Sequence, residues 1–214
     1  MTAALGRLQA SGIVAIVRVP SPFGVMDACR ALCRGGVRAV EITLTVPRAL
    51  DLIGELVGAF GDDLLVGAGT VLDVGACRRS VDGGAQFIVS PAFNAGVVDH
   101  CQRHGVLAVP GALTPTEVVR AWQHGADLVK LFPARVATPG YVRDLLGPLP
   151  AARLLPTGGI DEAGASAYLA AGAAAVGIGS RLMAPAAIAA GDVDAIAAAA
   201  DRFARVVAQA RAAR

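Results

Sequence analysis

Short apolar runs alternate with longer segments of helical spacing along the whole chain. Eight such runs, rich in Val, Ile and Leu, begin 20 to 27 residues apart and cover residues 12–19, 39–44, 64–71, 86–91, 106–113, 127–134, 153–160 and 174–180. Because these runs lack a clean alternation of apolar and polar positions, they are typical of parallel strands covered by helices. The pattern therefore predicts an α/β protein in which a helix follows each strand.

This repetition predicts a (β/α)8 TIM barrel. Eight strand–helix units within 214 residues fit the compact end of that fold, and no linker divides residues 1–214, so we expect a single domain. A doubly wound open sheet is the alternative, but the even spacing favours closure. A short extra helix is predicted at residues 2–10. The last helix is predicted from about Asp192, with an inward face formed by Val193, Ile196, Ala200, Phe203 and Val207.

Composition narrows the class of protein. Hydrophobic residues make up 55% of the chain and charged residues 17%, which is enough to bury a sizeable core. A net charge of +2 with scattered arginines argues against a nucleic-acid or membrane-surface partner. No apolar run approaches the roughly 20 residues that span a bilayer, and residues 1–12 lack the apolar core of a signal peptide. We therefore expect a cytoplasmic protein.

One lysine stands out. Of the 19 basic residues, 18 are arginine, and the single lysine, Lys130, lies in the sixth apolar run between Val129 and Leu131. Strand alternation places Lys130 and Phe132 on the same side, facing the barrel interior near its C-terminal mouth. Arginine is the better buried ion-pair partner, whereas lysine can lose its proton and attack a carbonyl group. We interpret Lys130 as a Schiff-base nucleophile, with a structural ion pair or a phosphate anchor as open alternatives.

A glutamate occurs in the second run. In that run Glu41 and Thr43 share one side, and a buried carboxylate needs either a partner or a chemical task. The functional interpretation is a general acid/base beside the amine, because imine formation and carbon–carbon cleavage both require proton transfer. The alternative is an ion pair with Lys130 or with an arginine.

Two glycine-rich segments follow the last two runs. Residues 156–160 read PTGGI and residues 177–180 read GIGS. In TIM barrels the loops after strands seven and eight often bind phosphate through backbone N–H groups and a short helix. Ser180 is a candidate cap for such a helix at about residues 180–183. Tight turns without a ligand are the alternative.

Neither a metal nor another cofactor is predicted. We expect the four cysteines to be small buried side chains in helices: Cys29, Cys33, Cys77 and Cys101. The three histidines are interpreted as surface or helix-end residues: His100, His104 and His124. No cluster of His, Asp and Glu follows the predicted strands, which disfavours a metal-dependent mechanism.

Seven segments occur in the order found in one enzyme family: VEITLTVP, VGAGTVL, FIVSPAF, VPGALTPTE, VKLFPA, PTGGI and VGIGS. From about residue 10 to 207 the chain resembles the class I 2-keto-3-deoxy-6-phosphogluconate (KDPG) aldolases, many of which also act as 4-hydroxy-2-oxoglutarate aldolases. The resemblance implies Schiff-base cleavage of KDPG to pyruvate and D-glyceraldehyde 3-phosphate, with no cofactor. It also implies a homotrimer. The C4 epimer of KDPG remains an alternative substrate.

The resemblance assigns roles to individual residues. It implies that Lys130 forms the Schiff base and that Glu41 transfers protons. Residues of three strand ends are implied to surround the pyruvate part of the substrate: Thr70, Pro91 and Phe132. The phosphate loops correspond to Gly158, Gly159, Gly179 and Ser180.

The chain departs from the family at one position. Some members carry an arginine after strand two that pairs with the substrate carboxylate, and here Thr45 occupies that position. Arg18, near the end of the first run, is the best replacement, although it could instead pair with Glu41. A sugar-phosphate isomerase or epimerase, and a non-catalytic phosphate-ligand binding protein, remain the other functional hypotheses.

Overall fold

Each apolar run contains a strand. The computed structural model describes residues 3–213, with strands β1 (Ile13–Val17), β2 (Ala39–Thr43), β3 (Leu65–Gly69), β4 (Phe87–Val89), β5 (Leu107–Val109), β6 (Gly111–Ala112), β7 (Val129–Leu131), β8 (Leu154–Pro156) and β9 (Val176–Ile178). The fifth run holds two strands because Pro110, which has no N–H group to donate, interrupts it.

The strands form parallel sheets, which confirms the predicted α/β class. One sheet has six strands in the order β5-β4-β3-β2-β1-β9, and a second has the order β6-β7-β8. A single parallel bridge joins Thr157, just after β8, to Gly177 of β9. The larger sheet is thus a half-barrel in which β1 lies between β2 and β9.

Helices alternate with the strands as predicted. They are α1 (Ala3–Ser11), α2 (Val25–Arg34), α3 (Ala49–Phe60), α4 (Val74–Asp82), α5 (Ala95–Arg103), α6 (Pro115–Gln123), α7 (Pro139–Leu146), α8 (Glu162–Ala170), α9 (Pro185–Ala190) and α10 (Val193–Ala212). The extra helix ahead of the first strand is α1. Asp192 caps α10 by accepting a hydrogen bond from the backbone of Ala195. Among the described residues, no helix combines the length and apolar character that a membrane crossing requires.

The predicted helix at residues 180–183 is wrong. Residues 180–182 form a turn in which the N–H groups of Leu182 and Met183 both bind the carbonyl oxygen of Gly179. The next helix, α9, begins only at Pro185, and Ala184 before it is extended. A residue before proline is disfavoured in the helical conformation, so a helix starting at Ser180 cannot continue into α9.

The core has an outer and an inner part. The larger apolar cluster lies between the strands and the surrounding helices. The smaller one, which includes Leu128, Phe87 and Leu65, occupies the strand face that also carries Lys130 two residues further on. Leu5 and Leu8 of α1 join this inner cluster. The inner face is therefore apolar at the amino ends of the strands and becomes polar only near their carboxyl ends.

The cysteines and histidines fall on helices or at helix ends. As expected, all four cysteines are in helices, and none forms a disulfide, but only three are buried because Cys33 is half-buried. His100 lies in the last turn of α5 but is buried, and its ring stacks on that of His104 with centroids 4.1 Å apart. Within residues 3–213, no group of three or more His, Cys, Asp and Glu side chains is arranged to hold a metal ion.

Candidate active site

The lysine of β7 lies at the inner end of a cavity of about 440 Å³ at the carboxyl ends of the strands. Its side chain is almost fully buried, at 4% exposure. The Lys130 Nζ atom lies 3.9 Å from Glu41 Oε1 and 5.3 Å from the centroid of the Phe132 ring. The amine thus has a carboxyl group on one side and an aromatic face on the other.

The carboxyl group of Glu41 is even more enclosed, with the residue 1% exposed on β2. Its Oε1 accepts no hydrogen bond from any described residue. Burial raises the pKa of Glu41, and the positive charges of Lys130 and Arg18 only partly offset this shift. A carboxyl group whose pKa is raised towards the operating pH can both donate and accept a proton, as general acid/base catalysis requires.

Small residues provide the space for these polar groups. A Cβ atom at Gly69 of β3 would overlap the carboxyl group of Glu41, and one at Gly177 of β9 would overlap the side chain of Thr157. Neither glycine has a positive φ, so both are required for space rather than for backbone conformation. The sequence indicated small residues in GAGT, but it did not reveal that Gly69 faces Glu41.

Arg18 follows β1 and reaches across to the end of β3. Its Nη2 donates a hydrogen bond of 3.1 Å to Thr70 Oγ1, and Thr70 has a left-handed φ of 61°. Among the described residues the ion pair of Glu41 is with Lys130, so the alternative of a direct Arg18–Glu41 pair is not what the structure has. Thr45, at the position of the family's arginine, is tied to Thr43 by a hydroxyl–hydroxyl hydrogen bond of 2.8 Å.

The two glycine-rich segments also line the cavity. Gly158 and Gly159 have left-handed φ angles of 113° and 73°. The N–H groups of Gly158, Gly159, Gly179 and Ser180 donate no hydrogen bond to any described residue. Four unpaired N–H donors along one wall form a site suited to an anion such as phosphate.

The cavity gathers most of the residues predicted from sequence. Nine of them line it: Arg18, Thr70, Pro91, Lys130, Phe132, Gly158, Gly159, Gly179 and Ser180. The tenth, Glu41, lies beside Lys130 without reaching the cavity surface. Sequence reasoning gave no role to six other lining residues: Ile16, Thr157, Ile160, Arg181, Met183 and Pro185. Thr157 and Ile160 lie within the first glycine-rich segment, and Arg181 directly follows the second, which was the only signal in the sequence for these residues.

The sequence model of a family described as "KDPG and KHG aldolase" matches residues 5–199. The chain belongs to the KDPG and KHG aldolase family. Among the relatives of this aldolase, a 2-dehydro-3-deoxy-phosphogluconate aldolase of Treponema pallidum is 38% identical over 168 residues, which are 78% of each chain. A 2-dehydro-3-deoxy-6-phosphogalactonate aldolase of Escherichia coli K12 is 33% identical over 79% of this chain and 83% of the relative.

The fold of the aldolase also matches that of solved family members. The structure of a KDPG aldolase from Legionella pneumophila superposes with a TM-score of 0.87 at 26% identity, covering 94% of this chain and 98% of that one. That structure holds pyruvate captured as a covalent carbinolamine intermediate.

Proposed function

We propose that this protein is a class I aldolase that cleaves 2-dehydro-3-deoxy-6-phosphogluconate to pyruvate and D-glyceraldehyde 3-phosphate. The observation that carries the proposal is the buried pair at the inner end of the cavity, with Lys130 Nζ 3.9 Å from Glu41 Oε1. A buried amine and carboxyl group held together beside a cavity are typical of sites that form imines and transfer protons. The two groups can therefore act on one carbonyl carbon.

In the proposed mechanism, neutral Lys130 attacks the C2 ketone of the substrate. The Glu41 carboxyl protonates the carbinolamine oxygen, which leaves as water and produces the protonated imine. Glu41, directly or through a water, then takes the proton of the C4 hydroxyl. The C3–C4 bond breaks and its electron pair moves into the imine, so glyceraldehyde 3-phosphate leaves. Protonation of the remaining enamine at C3 and hydrolysis release pyruvate and regenerate the amine.

The two ends of the substrate require separate partners. We assign the C1 carboxylate to Arg18 and to the hydroxyl group of Thr70, because a guanidinium group binds a carboxylate with charge-assisted hydrogen bonds. Pro91 and Phe132 are assigned to the walls around the pyruvate part. The phosphate is assigned to the unpaired N–H groups of Gly158, Gly159, Gly179 and Ser180. Binding of the phosphate holds the substrate in place while its other end reacts.

The configuration at C4 distinguishes two closely related candidate substrates. One relative is named for the phosphogluconate and another for its phosphogalactonate epimer, at 38% and 33% identity. We place KDPG first, the galactonate epimer second, and 4-hydroxy-2-oxoglutarate as a further substrate. Cleavage rates on the three compounds, measured by coupled pyruvate detection, rank them directly.

The proposal also covers the closure of the barrel and the assembly of the chain. We propose that residues 1–214 form one closed (β/α)8 barrel domain, supported by the Thr157–Gly177 bridge and by the hydrogen bond from Lys130 N–H to the Pro110 carbonyl group. We further propose a cytoplasmic homotrimer, which the family resemblance implies. The exposed side chains of Leu72 and Val74 offer apolar surface for association, and sedimentation analysis measures the number of chains.

Borohydride trapping tests the mechanism. Reduction in the presence of pyruvate should add one pyruvyl group, and peptide mass spectrometry should locate it on Lys130, the only lysine of the chain. Lys130→Arg retains the positive charge but removes the nucleophile, so it should abolish both trapping and cleavage. Arg143→Gln, on the outer helix α7, serves as a control that should trap normally. Trapping at the N-terminal amine alone, or none, would contradict the Schiff-base mechanism and favour an isomerase or a binding protein.

A further inference from the structure

The cavity is lined by three cationic side chains: Arg18, Lys130 and Arg181. No Asp or Glu is among the described residues that line it. Two of these cations have roles in the proposed reaction, whereas Arg181 has none so far. An uncompensated positive charge in a concave site raises the local concentration of anions and favours their binding.

Arg181 follows the phosphate-binding segment directly. It belongs to the turn after β9, in which the Gly179 carbonyl oxygen accepts hydrogen bonds from Leu182 and Met183. These bonds fix the turn from within, so the N–H of Ser180 and the side chain of Arg181 are both left without a partner among the described residues. The cation therefore lies at the wall that already presents neutral N–H donors.

Some arginines of the chain form ion pairs with carboxylates that the structure describes and others do not, and Arg181, like Arg18, is in the second group. Arg30, Arg48 and Arg202 each form an ion pair with a nearby carboxylate. Arg181 forms no ion pair with any carboxylate that the structure describes, although its side chain is largely exposed and free to find one. The guanidinium group is thus available for a ligand in the cavity.

Arg18 is engaged in another direction at the mouth of the cavity. Strands β9 and β1 are neighbours, so Arg18 and Arg181 follow adjacent strands. The Arg18 side chain extends in the other direction, over the end of β2, and binds Thr70 at the end of β3. The Arg18 guanidinium group is therefore engaged at the end of β3, whereas that of Arg181 has no such hydrogen bond among the described residues.

We propose that Arg181 is a specificity-determining residue that pairs with the phosphate group and sets the preference for phosphorylated over unphosphorylated 4-hydroxy-2-oxo acids. This inference rests on the proposed aldolase function. Backbone N–H groups orient a phosphate but carry no net charge, whereas a guanidinium group adds charge-assisted hydrogen bonds. Because the phosphate is remote from the bond that breaks, the contact acts mainly by binding, and its loss appears in KM.

The test compares Arg181→Gln with the wild-type protein on two substrates. The ratio of kcat/KM for KDPG to kcat/KM for 4-hydroxy-2-oxoglutarate should fall about tenfold or more, mainly through KM for KDPG. Competitive inhibition by inorganic phosphate and by glycerol 3-phosphate should weaken in parallel. Arg181→Lys should restore part of the ratio because it keeps the charge, and Arg143→Gln should leave the ratio unchanged.

The outcomes separate this inference from the aldolase proposal. If Arg181→Gln lowers activity equally on both substrates, or leaves the ratio and the phosphate inhibition unchanged, the specificity role is refuted while the aldolase function stands. If the wild-type protein cleaves neither substrate and traps no pyruvate, the aldolase function itself fails. Pyruvate carries no phosphate, so its trapping at Lys130 also reports whether the variant has folded correctly.

Discussion

At the scale of single residues, the position of the Glu41 carboxyl group depends on a glycine of the neighbouring strand. Gly69 lies where a Cβ atom would overlap the Cγ, Cδ and Oε1 atoms of Glu41. The Glu41 side chain is fully enclosed, so it has no solvent space into which it could turn. Gly69 thus acts as a positioning residue for the proton transfer proposed for Glu41.

Gly69→Ala should therefore lower kcat by roughly 100-fold, because displacement of a catalytic group by about 1 Å has that effect. Stopped-flow measurement should show slower imine formation with pyruvate, while phosphate inhibition is retained. The double variant Gly69→Ala/Glu41→Asp shortens the acid by one methylene and should recover part of kcat.

Gly58→Ala is the matched control for this prediction. Gly58 lies in α3 with nothing near the added Cβ atom, so the substitution should leave kcat unchanged. If Gly69→Ala had wild-type kcat, or if it lost activity only by unfolding, the positioning role would be wrong.

At this scale, some residues of the candidate site could be predicted from the sequence and others could not. A lone lysine and a glutamate in apolar runs are visible in the sequence, because strands seldom bury charge without a task. The role of Gly69 depends on the register in which Thr43 lies opposite it, and that register pairs residues 26 positions apart. The availability of Arg181 depends on which carboxylates lie near it in space, so neither role could be predicted from spacing.

At the scale of elements, helix α8 is fixed to the segment that follows β7. The hydroxyl group of Tyr168 on α8 is 2.7 Å from the carbonyl oxygen of Ala134 and 2.9 Å from that of Ala137. Its one proton is shared between these two acceptors, and burial raises the pKa of Tyr168, which keeps the proton in place. The segment begins just after Phe132, so this contact links a helix outside the sheet to a wall of the cavity.

Tyr168→Phe should reduce the free energy of unfolding by about 1–3 kcal/mol, because it leaves buried carbonyl groups without a donor. Urea denaturation measures the change. Tyr141→Phe is the comparison. The hydroxyl group of Tyr141 donates a hydrogen bond to a single carbonyl oxygen, that of Leu113, and lies at a half-buried position. A smaller loss is expected there, and an equal or larger loss for Tyr141→Phe would contradict the role of Tyr168.

The elements themselves were largely predictable because their hydrophobic pattern repeats. All eight runs contain strands, and α10 starts at Val193, next to the predicted start at about Asp192. The helix expected at residues 180–183 is wrong because the hydrogen bonds to Gly179 close only a single turn, and the extended residue Ala184 before Pro185 ends it. Hydrophobic periodicity does not show where such a single turn ends.

At the scale of the whole molecule, the inner face of the sheet has an apolar part and a part that carries the candidate site. Its apolar cluster, which includes Leu8, Phe87 and Leu107, packs towards the amino ends of the strands. Lys130 and Glu41 are buried further along the same face. Burial of ionisable groups opposes folding unless they are fully compensated, so the apolar part must stabilise the fold against the cost of the site.

This cost should depend on pH. Burial raises the pKa of Glu41 in the folded protein above its ordinary value of 4.5. Above pH 4.5 the unfolded chain therefore releases this proton first, and the folded state binds more protons until the pH passes the raised pKa. The contribution of Glu41 to the free energy of unfolding thus falls as pH rises from about 4.5 through that window, and the loss persists above it.

Glu41→Gln removes this titration, so its free energy of unfolding minus that of the wild-type protein should increase with pH above about 4.5 and then level off. Urea denaturation at a series of pH values from 4 to 8 measures the difference. The substitution also removes the ion-pair partner of Lys130, which shifts the difference in free energy of unfolding. The slope of that difference against pH is therefore the quantity that tests the prediction. Glu162→Gln, which removes the carboxylate of a more exposed pair with Arg202, is the matched control variant. A flat or falling difference for Glu41→Gln would show that the folded protein does not hold this proton more tightly than the unfolded chain.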